Sequence, residues 1–165
     1  MKKLFMLIGL LSIYCEANTL SPQTYQAVDE KLSKFRQDTL LGKYHSSVEI
    51  MPSSFFKFIA DKSNVNPSEI KRMLIEKANH LSQGVKIHNY QYYLNNSTEN
   101  KINDLNYVFV PTSLEMSIGS KDITVKSYLL GVKENQNWYF LNWQDKYISI
   151  IKQIYPELKN IESPK

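Results

Sequence analysis

The chain has 165 residues, 42% of them hydrophobic and 22% charged, with a formal net charge of +4. That length suits one ordinary core and one domain. Arg36 and Arg72 are the only arginines, and the lysines are scattered among carboxylates, which speaks against the clustered, arginine-forked surface that nucleic acids need.

Lys2 and Lys3, the apolar run from Leu4 to Tyr14, and a small residue at Ala17 are the three parts of a cleavable secretory signal. The expected organisation is a signal over residues 1–17, one domain over 18–160 and a tail over 161–165. The apolar run falls short of the roughly 20 residues that cross a bilayer, and no later window reaches that length, so no membrane span is expected. A lipid-attachment cysteine wants a small residue before it. Tyr14 precedes Cys15, so a soluble periplasmic or secreted protein is expected over a lipoprotein. Losing the signal removes two lysines, one glutamate and the single cysteine, which leaves a charge of +3 and no disulfide or thiol chemistry.

The first half reads as helical. Ser21-Pro22 offers a cap and a proline at the first helical position, and Tyr25, Val28, Leu32 and Phe35 follow at helical spacing up to Gly42. A short helix is expected over 44–50, and another opens at Pro52 through Phe55, Phe56 and Ile59. Asn66-Pro67-Ser68-Glu69 is a further start, with Glu69 placed to reach back to the cap. Ile70, Leu74, Ala78 and Leu81 form its stripe, and Gly84 ends it.

After Gly84 the period changes to two. Residues 85–94 read as a strand, 95–104 as a polar loop, and 105–118 as a long strand with Val108, Val110, Thr112, Leu114 and Met116 on one face. Pro111 lacks an N–H and marks a bulge or an edge. Two further strands, 122–133 and 138–143, complete an antiparallel meander of four, and a helix over 145–158 closes the chain.

The run Tyr107-Val108-Phe109-Val110-Pro111-Thr112-Ser113-Leu114-Glu115-Met116, then Lys126-Ser127-Tyr128-Leu129-Leu130-Gly131, Asn137-Trp138-Tyr139-Phe140-Leu141-Asn142 and the closing Ile154-Tyr155-Pro156-Glu157-Leu158 form a recognisable set. It resembles a family of small secreted bacterial NTF2-like (cystatin-like α+β) proteins of unknown function, with their "VPQTLxM", "SYLIA", "DGGKTWTFVDG" and "LFPEL" segments. The resemblance covers residues 40–158. It implies an α+β cone, N-terminal helices packed on a bent four-stranded antiparallel sheet, with a C-terminal helix. The chain departs from the family pattern at Glu134-Asn135-Gln136-Asn137, where the family has a glycine turn, and at Asn142, where it has an aspartate.

No serine lies in a nucleophile elbow, and His45, His80 and His88 show no metal spacing. His45 and Glu49, four apart, are read as a helical ion pair before a metal pair. No cofactor or metal is expected. Polar residues within apolar strand faces are the stronger pattern. Tyr93, Thr112, Ser127 and Asn142 are the candidate ligand-binding residues of a site for a small apolar molecule or a partner segment, although Ser and Thr in such places often bond only to backbone. The alternative from another class is a small hydrolase or isomerase using His88 with Asp104 or Asp122 inside the cone. A third is a homodimer or other association through the sheet.

Overall fold

The computed structural model describes residues 19–81 and 84–164, so the expected signal lies outside the described residues. Helix α1 spans Pro22–Leu40 and begins as its sequence requires, with the Ser21 hydroxyl accepting from the Thr24 N–H at 3.3 Å. Val28 and Leu32 are fully buried, whereas Tyr25 faces solvent, so the buried stripe begins at Thr24 and not at Tyr25 as the spacing suggests. Short α2 (Ser46–Glu49) leads into α3 (Ser53–Ser63) and α4 (Pro67–Leu81). Asn66 caps α4 through the Ser68 N–H at 2.9 Å. Glu69 does not reach back to that cap but pairs with Arg72. These helices share a small core of Val48, Phe56, Ala60 and Ile70.

The strands are β1 (Val85–Tyr92), β2 (Thr98–Ile102), β3 (Leu105–Ile118), β4 (Lys121–Glu134) and β5 (Asn137–Trp143), all antiparallel. The order is β1-β3-β4-β5, with β2 also on β3, so the sheet has 5 strands and not the four expected. The loop expected over 95–104 contains β2, whose sequence Thr-Glu-Asn-Lys-Ile has no apolar alternation because it is an edge strand with no fully buried residue. β1 and β2 lie end to end on one flank of β3. Between them the chain leaves the sheet opposite Pro111, whose carbonyl still accepts from the Tyr93 N–H at 3.0 Å. Pro111 has no N–H to return to that flank, so the excursion forfeits little pairing, and it places Leu94 in the core.

The inner face carries Val108, Val110, Leu129, Trp138 and Phe140 against Val28 and Leu32 of α1. The outer face carries Phe109, Leu130, Val132, Leu141 and Trp143 against Ile151, Tyr155 and Leu158. Gly131 is required on the inner face between Val108 and Phe140: a Cβ there would stand 2.6 Å from Val108 Cγ2 and 2.8 Å from Phe140 Cε1. The β4–β5 turn places Asn135 and Gln136 at φ +48° and +67°, the two-residue geometry that suits strand twist, here without glycine. The closing helix, α5, spans Asp145–Ile154 and stops ahead of Pro156, not at Leu158 as expected. A 3-10 turn over Pro156–Asn160 delivers Leu158 to the core instead. Ser163 accepts from the Trp143 indole N–H at 3.0 Å. Among the described residues, no helix is long and apolar enough to cross a membrane.

Candidate functional site

β5 covers only the Tyr128–Glu134 half of β4. Beyond it the inner face is not filled by α1, and a cavity of about 620 Å³ opens between the sheet and the helices. Leu114, Met116 and Val125 form its floor, Phe35 and Leu74 its far walls, and Tyr147 and Ile150 of α5 its side. The volume lies in the range of sites for small molecules, about 300–1,000 Å³.

Three of the four expected ligand residues, Thr112, Ser127 and Asn142, line this cavity. They meet because Thr112 pairs with Ser127 across β3 and β4, and Asn142 pairs with Leu129 one step further on. The Thr112 hydroxyl lies 3.0 Å from the Ser127 hydroxyl and donates toward the Ser127 carbonyl at 3.2 Å. Thr112 thereby satisfies itself within the sheet, as buried threonines commonly do. Ser127 has no other side-chain hydrogen bond among the described residues. Asn142 makes no side-chain hydrogen bond among the described residues and is solvent-exposed.

Tyr93 does not line this cavity. The chain has already left the sheet there, and the Tyr93 hydroxyl donates to Gln91 Oε1 at 2.6 Å beside a second, outer groove of about 570 Å³ that Thr112, Ser127, Lys126 and Trp143 also line. Thr112 and Ser127 thus line both spaces, Tyr93 only the groove and Asn142 only the cavity.

The histidine expectation is corrected. His88 faces outward, where it bonds to the Ser117 hydroxyl, which donates to Asp122 Oδ1 at 2.6 Å. The cause is a bulge: the register slips between Ile87 and Asn89, so His88 leaves the inner face. Asp122 is its neighbour on that outer surface, 3.9 Å away. Asp104 lies in the exposed β2–β3 turn at the opposite end of the sheet. His45 precedes α2, and its carbonyl accepts from the Glu49 N–H at 3.3 Å. No group of three His, Cys, Asp or Glu among the described residues could hold a metal ion.

The spacing of β1 holds a signal for what sequence reading misses. Val85 and Ile87 set one phase, and Tyr90 and Tyr92 the other, which is the mark of the bulge. Tyr90 lines the cavity. Burial pushes its phenol well above the ordinary range, and the Thr112 hydroxyl offsets this only in part. Tyr44, Ser47 and Gln144 also contribute polar atoms to the lining. They come from separate elements, so no local pattern groups them.

No family model, curated protein or solved structure matches the chain.

A second polar cluster is built around Glu134, away from the cavity. Pro52 precedes α3 and has no side chain to cap it. Glu134, from the end of β4, fills that role: Ser53 donates at 3.0 Å, Ser54 donates to the same carboxylate, and Tyr155 donates at 2.7 Å. Burial would raise the Glu134 pKa, but bonds from Ser54, Tyr155 and Ser53 and from the Ser54 N–H outweigh it and hold the carboxyl below its ordinary value. Burial moves the Tyr155 phenol far upward. This cluster ties α3 to the sheet and to the end of α5.

Proposed function

We propose that the chain is an exported NTF2-like domain that holds a small, uncharged, largely apolar molecule in the cavity and does not transform it. The observation that carries this reading is the chemistry of the lining. Among the described residues it contains no Asp, Glu, Lys, Arg or His. An unpaired charge brought into such a space loses its hydration without compensation, which costs several kcal/mol, whereas apolar surface gains roughly 25 cal/mol per Å² buried. Ser127, Asn142 and Gln144 are among the hydrogen-bonding groups of the lining that would orient a neutral ligand. General acid–base chemistry needs a group that titrates near working pH, and the lining offers only phenols, of which Tyr90 is shifted away from that range.

Differential scanning fluorimetry with chain-matched amphiphiles tests this. Dodecanol is expected to raise Tm by mass action, while dodecanoate and dodecylamine, charged at pH 7.5, leave it unchanged. Equal shifts from all three, or none from a broad panel of neutral compounds, would overturn the reading. Mass spectrometry of exported protein tests the compartment, with a chain beginning near Asn18 expected and a retained Met1 contradicting it.

A further inference from the structure

We propose that two copies of the chain join edge to edge through the free segment of β4, antiparallel about Thr124. β4 runs from Lys121 to Glu134, yet β5 pairs only with Tyr128–Glu134. The flank of residues 121–127 away from β3 therefore has no strand beside it among the described residues. An open edge of this kind is a template for another chain.

The direction of its backbone groups follows from both hairpins. Ile118 and Lys121 flank the two-residue β3–β4 turn, and Glu134 and Asn137 flank the two-residue β4–β5 turn. In such hairpins the flanking residues exchange both hydrogen bonds, and the direction alternates from there. Counting from Lys121, the odd-numbered residues face β3. Counting from Glu134, the even-numbered residues face β5. The two counts agree, so Asp122, Thr124 and Lys126 point their N–H and C=O groups at the open flank.

That segment is complementary to itself. About a two-fold axis at Thr124, Asp122 of one copy stands opposite Lys126 of the other, on both sides of the axis, and each Ile123 stands opposite a Val125. The charges therefore pair, where a slip of two residues in either direction would set Lys126 or Asp122 against Thr124 and lose the pairing, and a slip of four would set lysine against lysine or aspartate against aspartate. Ile123 is 37% exposed in the single chain, and this register covers it. Opposite charges directly across a ladder stabilise it, and like charges oppose it. Face-to-face packing of two sheets is disfavoured, because α5 and Leu158 cover one half of the outer face and Glu115, Thr124 and Lys126 make the other half polar and exposed. Pairing at this edge does not depend on a ligand in the cavity.

Size-exclusion chromatography with light scattering on the full chain tests it. The parent is expected at twice the mass of one chain. Lys126→Asp, which sets a carboxylate of one copy against Asp122 of the other, is expected at the single mass, and adding Asp122→Lys restores the doubled mass. Thr124→Pro removes an N–H that faces only the open flank, so it is expected to give a monomer with an unchanged circular dichroism spectrum. A monomeric parent would overturn the proposal. So would a dimer that survives Lys126→Asp, or one that the double exchange does not restore.

Discussion

At the end of the sheet that carries β2 and β5, Val108, Val110, Leu130 and Val132 are completely buried, with helices packed on both faces. At the other end the same two long strands present Leu114, Met116, Val125 and Ser127 half-buried around a cavity. The change comes within one register step, where Thr112 and Ser127 replace the Val110–Leu129 pair. Continuous strands tie the ends together, so the closed end can hold the shape that leaves the open end unfilled. Stability is therefore concentrated at one end and open space at the other.

Substitutions separate the two. Phe140→Ala, at the closed end, removes a ring that is 1% exposed and packs over Gly131, and is expected to cost about 3–5 kcal/mol in denaturant unfolding. A loss comparable to that of a surface change would erase the contrast.

Glu134→Gln is expected to cost less, about 1–2 kcal/mol, through weaker bonds and the lost charge at the start of α3. Its pH dependence has a definite sign. The folded pKa lies below the unfolded one, so the stabilisation is complete above the ordinary carboxylate range and is lost as pH falls through the folded value. Unfolding of parent and variant measured from pH 7 down to pH 3 should converge at the acid end. A constant difference would show that the charge contributes nothing.

The smallest effects are expected at the open end. Ser127→Ala and Asn142→Leu should melt within about 1 kcal/mol of the parent, since each loses at most one hydrogen bond, yet should lose most of the Tm shift given by dodecanol. A large drop in stability with binding intact would make these residues structural and move the boundary between the two regions.

The closed end is more legible in the sequence than the open one. The switch of period at Gly84, the alternation of Val108 and Val110, and the caps at Ser21 and Asn66 are local, and the α+β fold with its helices over the concave face follows from them. β2 escapes a reading by period because a solvated edge strand needs no apolar alternation. His88 reads as inward because a single bulge reverses the face of everything before it. The cap that Glu134 gives α3 joins residues some 80 positions apart, and no spacing rule reaches that far. Thr112, Ser127 and Asn142 are legible as polar breaks in apolar faces, but the size of the cavity is not, since it depends on where α1 ends and α5 begins.

The division of labour is tested most directly by filling the cavity from its floor. Leu114→Trp adds bulk at the half-buried open end, where space is present to accept it. Calorimetric titration of dodecanol into parent and variant, each also melted without ligand, is the deciding measurement. The parent is expected to bind, and the variant to melt at or above the parent temperature while its binding heat disappears. Equal binding by a folded Leu114→Trp variant would contradict the assignment of the cavity as the binding site.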